Sequence, residues 1–283
     1  MPDHPNSVTG PSAEAEDVVE LVSGKTESEH LFERYLDSRG LRWAYEAHAG
    51  RKQPDYLIRL GPETCICEVK EFDDPDPKPT GGFSACPPIR EKINRAARQF
   101  REYKHRPCGL VLFNSRSIYR SLDPTTVLSA ALGQDFQEEP GTGGTIRPEP
   151  SSFRFFGSAK LTKGQNTTIS AIIVLAHYEL NDLLIEVWRR LYAKQEREGK
   201  VAPTDYFDLQ TELGQDRPQA LRYVGTIRVI AFHNPHARIP FPTNVFTGSF
   251  DQQWGLVDGC YRPIWLGSEL GRLYNEGVPF VYL

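Results

Sequence analysis

Apolar and polar residues alternate along two short runs in the first third of the chain. The runs read YLIRL and TCICEVKEF, begin at Tyr56 and Thr64, and are joined by a segment with a Gly-Pro turn signal. Such alternation predicts two strands paired as a β-hairpin. Because successive side chains of a strand point to opposite faces, Glu68 and Lys70 should share one face and Val69 should lie on the other.

Helical periodicity predicts one helix before this hairpin and another after it. The first begins at about Thr26, and Gly40 follows it as a candidate C-cap. The second extends from Ile89 to Arg106, with an apolar stripe on one side and basic residues on the other. A basic helix face is common as solvated surface, and it also suits a phosphate backbone. The basic residues are Arg90, Lys92, Arg95, Arg98, Arg101, Lys104 and Arg106.

Strand and helix patterns continue to alternate beyond this region, which predicts a mixed α/β layer fold. Residues 233–283 are dense in turns, Pro and aromatics, so we expect an irregular C-terminal extension there. The other predicted strands are LRWAYEAHA, CGLVLFN, ISAIIVLAHYEL and VGTIRVIAFHNP, and the other predicted helices are LDPTTVLSAALG and NDLLIEVWRRLYAKQEREGK.

The composition is that of an ordinary globular protein. The net charge is −4, so any basic surface for nucleic acid must be local. Five cysteines without a paired pattern indicate a reducing compartment, and the N-terminus lacks a signal-peptide pattern. We therefore expect a cytoplasmic protein without a membrane segment. The expected organisation is a flexible tail over 1–24 and a single domain over 25–283, with a core at about 26–114 and 169–232 and an insertion at about 134–168.

The hairpin carries residues suited to metal-ion chemistry. Asp55 follows Pro54 at the entry of the first strand, and Glu68 and Lys70 lie one pleat apart on the second. Two carboxylates suit Mg²⁺, or Mn²⁺ in its place, because a hard cation prefers oxygen ligands. Lys70 could orient or help deprotonate a metal-bound water. The chain has four acidic-x-Lys triplets, where roughly one is expected by chance, but only this one lies in an apolar strand pattern.

These residues resemble the motif of the PD-(D/E)xK nucleases. Pro54-Asp55 and Glu68-Val69-Lys70 match that motif without substitution. Gln99 and Tyr103 resemble the Gln-x-x-x-Tyr helix of the RecB-like branch of the family. The resemblance covers about residues 26–114 and implies a restriction-endonuclease-like fold, a mixed β-sheet core flanked by helices.

The resemblance also implies roles for individual residues. Asp55, Glu68 and the Val69 carbonyl would hold Mg²⁺, and Glu29 would ligate the metal or act through a neighbouring group, with Glu33 in reserve. Beside a candidate nuclease strand, the basic helix favours DNA binding. The expected catalytic residues are Asp55, Glu68, Lys70, Glu29 and Gln99, and the expected nucleic-acid-binding residues are Arg95, Arg98, Arg101 and Tyr103.

Several alternatives stay open at the level of sequence. The same fold could serve as a catalytically inactive nucleic-acid-binding or assembly module, and the substrate of an active enzyme could be RNA. A homodimer is compatible with the sequence, and the absence of GxGxxG and P-loop motifs predicts no nucleotide cofactor. His233-x-x-His236 is expected to be a strand-end turn rather than a metal pair, and Cys65-x-Cys67 to be core thiols. The acidic loop after Phe72 is a candidate substrate-gating flap.

Overall fold

A computed structural model of the protein describes residues 24–45, 54–72, 86–114, 122–133, 136–138, 146–148, 159–177, 198–199 and 225–268. The expected N-terminal tail, the candidate flap after Phe72 and most of the helix predicted over 181–200 lie outside these residues.

Within the described ranges the chain forms three α-helices, a 3₁₀ turn and ten strands. The helices are α1 (Glu27–Ser38), α2 (Cys86–Gln99) and α3 (Pro124–Leu132), and the 3₁₀ turn is Phe100–Tyr103. The strands are β1 (Arg42–Tyr45), β2 (Tyr56–Leu60), β3 (Glu63–Glu71), β4 (Cys108–Phe113), β5 (Phe136–Glu138), β6 (Ile146–Pro148), β7 (Ala171–His177), β8 (Ile227–His233), β9 (Gln252–Val257) and β10 (Cys260–Leu266). None of the helices in these ranges has the length and apolar character needed to cross a lipid bilayer.

The strands form one sheet in the order β1-β2-β3-β4-β7-β8-β9-β10-β6-β5. β2 pairs antiparallel with β3, as the predicted hairpin requires, whereas β4 lies parallel to both β3 and β7. The parallel step from β3 to β4 is spanned by α2, because a parallel connection needs a crossover segment. The predicted α/β class with a mixed sheet flanked by helices is confirmed.

Local sequence signals determine where the helices begin and end. Thr26 caps α1 through a capping box with Glu29, whose side chain accepts the Thr26 backbone N–H at 2.6 Å. The side chain of Asp123 accepts the Thr126 N–H at 2.9 Å, Pro124 is the first residue of α3, and Gly133 follows its last residue in a left-handed conformation. The predicted helix over Ile89–Arg106 is shorter than expected, because its α-helical part ends at Gln99.

Side chains that alternate along the strands belong to two apolar clusters, one on each face of the sheet. One face packs against α2 and α3 through residues such as Ile66, Ile93 and Val127. The opposite face packs against α1 through residues such as Phe32 and Cys67. The alternation predicted for β3 is therefore confirmed, with even-numbered residues toward α2 and odd-numbered residues toward α1.

The prediction of an irregular C-terminal extension is wrong for residues 252–266, whereas residues 234–251 form no helix or strand. β9 and β10 pair as an antiparallel hairpin, and β9 joins the sheet parallel to β8. Asp258 and Gly259 form the turn with φ angles of 53° and 79°. Positive φ at both central residues matches the twist of paired strands, so Asp-Gly is a strong hairpin signal that the surrounding Pro and aromatic residues obscured.

The insertion also contributes to the sheet. Its short strands β5 and β6 pair with each other, and β6 continues the sheet beyond β10. The sequence of this segment is polar and poorly periodic and gives no signal for these strands. The strand with which β6 pairs, β10, lies more than a hundred residues further along the chain.

Gly109 on β4 provides a test of how closely the central strands pack. A Cβ at this position would lie 2.5 Å from Cδ1 of Ile173 and 2.9 Å from Cε2 of Phe241. We expect Gly109→Ala to lower the free energy of unfolding by about 1–3 kcal/mol, since extra volume in a packed core strains its neighbours. Chemical denaturation measures the change. Gly164→Ala is the control, because nothing lies within 4 Å of the added Cβ; equal losses in both variants would contradict the packing argument.

Candidate functional site

The register of the β2–β3 hairpin brings two acidic side chains together. Tyr56 pairs with Cys67, so Asp55 lies opposite Glu68 at the end of the ladder. The Asp55 N–H donates to Oε2 of Glu68 at 3.3 Å, and the Val69 N–H donates to Oδ2 of Asp55 at 2.7 Å. Each strand thus holds the carboxylate of the other, and both acids are oriented by backbone groups.

Glu68 is buried and is contacted by a lysine and a glutamine side chain. The Lys70 ammonium forms an ion pair with Oε1 of Glu68, and the Gln99 side chain forms a hydrogen bond with the same carboxylate. The Glu68 side chain is 0% exposed, whereas that of Lys70 is 23% exposed. Lys70 therefore lies between the buried acid and solvent.

Burial disfavours the ionised form of both acids, and the charge of Glu68 adds to this effect at Asp55. Burial, followed by the neighbouring Glu68 charge, raises the pKa of Asp55 to about 7. Burial also raises the pKa of Glu68, against the opposing effects of Lys70 and of hydrogen bonds from Gln99 and the Asp55 amide. Lys70 offsets these effects only in part, and a bound cation would further favour the ionised form of both acids.

Glu29 lies in the same region and is constrained by its own contacts. Its Oε2 accepts from the Thr26 N–H in the capping box, and its Oε1 accepts from the Tyr45 hydroxyl at 3.2 Å. Its charge contributes to the raised pKa of Asp55. Glu33 points elsewhere, because it pairs with Lys25 at 2.6 Å and accepts from Tyr56 at 3.0 Å. Of the two candidates on α1, the structure therefore places Glu29 and not Glu33 at the site.

An open cleft of about 840 Å³, here called the main cleft, joins the acids to the basic face of α2. Asp55 and Lys70 line it from the hairpin region, and Arg98 and Gln99 line it from α2. Within the described residues, Arg98 and Arg101 have no carboxylate partner, whereas Arg95 pairs with Glu91. The lining residues are Thr26, Glu29, Asp55, Val69, Lys70, Glu71, Lys92, Arg95, Arg98, Gln99, Arg101 and Glu102.

The donor set fits a hard divalent cation with few protein ligands. Oδ2 of Asp55 accepts a hydrogen bond from the Val69 N–H, whereas Oδ1 has no hydrogen bond within the described part of the chain. Glu68 lies directly behind it, and the Val69 carbonyl belongs to the same strand end. In the described ranges no group of three or more His, Cys, Asp or Glu side chains is placed to hold a metal ion. Two carboxylates are sufficient for Mg²⁺, which usually keeps several waters.

The structure brings most of the predicted site residues together. The predicted site residues that lie in or directly beside the main cleft are Asp55, Glu68, Val69, Lys70, Glu29, Gln99, Arg95, Arg98 and Arg101. Tyr103 does not line it, and packs against the apolar cluster on the α2 face. Tyr103 belongs to the 3₁₀ turn, and at three residues per turn it no longer shares a face with Gln99 four positions earlier.

Glu71 and Lys92 also line the main cleft and had no role in the sequence prediction of the site. Oε2 of Glu71 accepts from the Ser28 N–H at 3.2 Å, which connects β3 to the first turn of α1. Lys92 donates to the Glu71 carbonyl at 2.7 Å. Alternation places Glu71 on the face opposite Glu68, but the strand ends here, so side chains from both faces reach the same rim.

The other candidate motifs occupy structural positions. Cys65 and Cys67 are fully buried core thiols, as predicted, and burial raises the pKa of Cys65 to about 12. Nε2 of His233 lies 3.0 Å from Oε1 of Gln253 at the end of β8, and the His236 N–H donates to Oδ1 of Asn234 at 2.9 Å. The histidine pair thus takes part in the turn after the strand.

Comparisons with known proteins identified no relative of this chain. The chain matches no protein-family model, and no curated protein or solved structure shows significant similarity to it.

The raised pKa of Asp55 predicts a pH-dependent cost to stability. An acid whose pKa rises from 3.8 to about 7 on folding binds more protons in the folded state, so stability falls as pH increases across that interval. Asp55→Asn removes this cost and can keep the hydrogen bond from Val69. We expect the variant to be more stable than the wild type at neutral pH, on the order of 2 kcal/mol, with the difference vanishing near pH 4.

Urea denaturation in EDTA at several pH values would measure this difference. Asp258→Asn is the matched control, because the Asp258 side chain is 86% exposed and should show no comparable gain. A constant difference between Asp55→Asn and the wild type at all pH values would show that Asp55 is ionised as readily in the folded chain as in the unfolded one.

Proposed function

We propose that the protein is a metal-dependent nuclease of the PD-(D/E)xK type that hydrolyses DNA phosphodiester bonds. The observation that carries the proposal is that the half-buried Asp55 and Lys70 line one cleft with several cationic side chains, and that both contact the buried Glu68 carboxylate beside it. The acids supply ligands for a divalent cation, and the cations supply contacts for a polyanion.

The positions of the motif residues support a restriction-endonuclease-like assignment of the mixed sheet. Asp55 immediately precedes β2, and Glu68 and Lys70 lie near the end of β3. Glu29 lies on the helix before these strands and Gln99 on the helix after them, as the resemblance implies. Residues from four elements therefore meet in the order along the chain that the motif requires.

Asp55, Glu68 and the Val69 carbonyl are the residues that would hold Mg²⁺. When bound, Mg²⁺ offsets charge that develops on a phosphodiester and makes a coordinated water a better nucleophile. Glu29 contributes negative charge at this point while its oxygens remain bonded to Thr26 and Tyr45. We assign it to positioning and electrostatics.

Lys70 and the basic wall act on the substrate. The Lys70 ammonium lies at the boundary between Glu68 and solvent, where it can orient the attacking water or donate to a phosphate oxygen. Arg98 and Arg101 can hold the flanking phosphates, since they have no carboxylate to compete with in the described structure. Gln99 fixes the Glu68 carboxylate from the side of α2 and acts as a positioning residue.

Replacing the lysine tests the catalytic assignment. We expect Lys70→Ala to reduce Mg²⁺-dependent cleavage of DNA by about 100-fold or more, because it removes the group that contacts the water or the phosphate. Affinity for DNA should change little, since Lys70 is one of several cations at the cleft. Gel-based cleavage of linear and circular DNA, single- and double-stranded, with Mg²⁺ or EDTA, gives the rate.

Lys104→Ala is the matched control for this variant. Lys104 belongs to another acidic-x-Lys triplet, is exposed, and does not line the main cleft. Full activity of the Lys70→Ala protein, or equal losses in both variants, would contradict the assignment of the site.

Metal binding can be measured without any substrate. We expect Mg²⁺ or Mn²⁺ to raise the thermal unfolding temperature of the wild type at neutral pH, because an ion bound only to the folded state stabilises it. The same ion should leave Asp55→Asn almost unchanged, since the variant has lost a charged ligand. Asp258→Asn should respond like the wild type. A wild-type protein without a metal response would favour the inactive nucleic-acid-binding module.

A further inference from the structure

A second pocket adjoins the main cleft on the far side of two arginines. It has a volume of about 440 Å³ and is bordered by α2 and by the turn that precedes β7. Arg98 and Arg101 line both spaces, so they form a ridge between them. If a phosphate of a nucleic-acid strand binds at this ridge, the part of the nucleotide attached to that phosphate would lie in the second pocket.

The turn that borders this pocket is held by its own backbone. Thr162 and Gln165 exchange N–H···O hydrogen bonds of 3.1 and 3.3 Å. Asn166 adopts a left-handed conformation with φ of 55°, and its Nδ2 donates to the Lys160 carbonyl at 2.8 Å. Gln165 and Asn166 are thus presented at the pocket by a fixed local structure.

The lining combines an apolar residue with free amides. Ala97 of α2 is buried and lines the pocket together with the amide side chain of Asn94. Neither Asn94 nor Gln165 has a side-chain hydrogen bond within the described residues. Each amide offers two donor hydrogens and one acceptor oxygen, which is the functionality that reads the polar edge of a nucleobase. We call this space the amide pocket.

The amide pocket offers hydrogen-bond partners for the edge of a base. Besides the amides, Glu91, which pairs with Arg95, lines the pocket, and a carboxylate can accept a hydrogen bond from the N–H of a base. The cations are restricted to the ridge on the side of the main cleft. A nucleotide with its phosphate at Arg98 and Arg101 and its base beside Ala97 would match both halves of this surface.

The shape of the pocket constrains the kind of strand that it can accept. Proteins read a stacked duplex by inserting side chains into its grooves, whereas a concave pocket accepts a base only when the base has left the stack. We propose that the amide pocket binds one unpaired nucleobase next to the phosphate held at the arginine ridge. The preferred nucleic acid is then a single strand or a frayed end. This inference rests on the proposed function and specifies its substrate.

Binding measured in EDTA separates this inference from catalysis. The probes are a fluorescent oligothymidylate single strand, an abasic strand with the same number of phosphates, and a duplex of the same length. We expect the wild type to bind the thymidylate strand about tenfold more tightly than the abasic strand, and more tightly than the duplex. The double variant Asn94→Ala/Gln165→Ala should lose this preference and keep its affinity for the abasic strand.

Two further variants control the experiment. Arg98→Ala should weaken binding of all three probes to a similar extent, because it removes a phosphate contact. Gln165→Ala alone, in an exposed turn, should reduce the preference without affecting folding, and circular dichroism checks each protein.

The possible results distinguish the two proposals. Equal wild-type affinity for the thymidylate and abasic strands, or a preference that survives in the double variant, would overturn the amide pocket and leave the nuclease proposal intact. A base preference that depends on Asn94 and Gln165 in a protein that never cleaves would support the pocket and contradict the nuclease proposal. Absence of binding to any probe would contradict both.

Discussion

The register of one β-hairpin is the constraint on which the candidate site depends. Pairing of Tyr56 with Cys67 places Asp55 opposite Glu68, and the two hydrogen bonds between backbone and carboxylate follow from that register. A shift by one residue would turn Glu68 and Lys70 toward the α1 face, where they would enter an apolar cluster. The same apolar packing that stabilises the sheet therefore fixes the position of the acids.

Burial of two acids so close together is costly, and the neighbouring elements offset part of this cost. Lys70 and Gln99 favour the charged form of Glu68, and the Val69 amide favours that of Asp55. What remains is an excess of negative potential beside a cationic wall. A site with both signs of charge is suited to hold a metal ion and a phosphodiester at the same time, whereas a uniformly basic surface would serve binding alone.

Much of the local structure could be predicted because its signals lie within a few residues of one another. The hairpin, the caps of α3 and the alternation in β3 follow from turn residues and side-chain periodicity. The place of Tyr103 could not be predicted in this way, because it depends on the change from α-helix to 3₁₀ turn at Gln99. The β9–β10 hairpin had a local signal in Asp258-Gly259, which the surrounding composition concealed.

The sequence by itself determined the chemistry of the site: two acids and a lysine at strand-like spacing, and a basic helix after them. Only the tertiary structure decided that Glu29 and not Glu33 faces the main cleft, that Glu71 and Lys92 join its rim, and that the amide pocket adjoins it. Periodicity specifies which face of an element a side chain occupies. It does not specify which other elements meet that face, since these contacts join residues far apart in the chain.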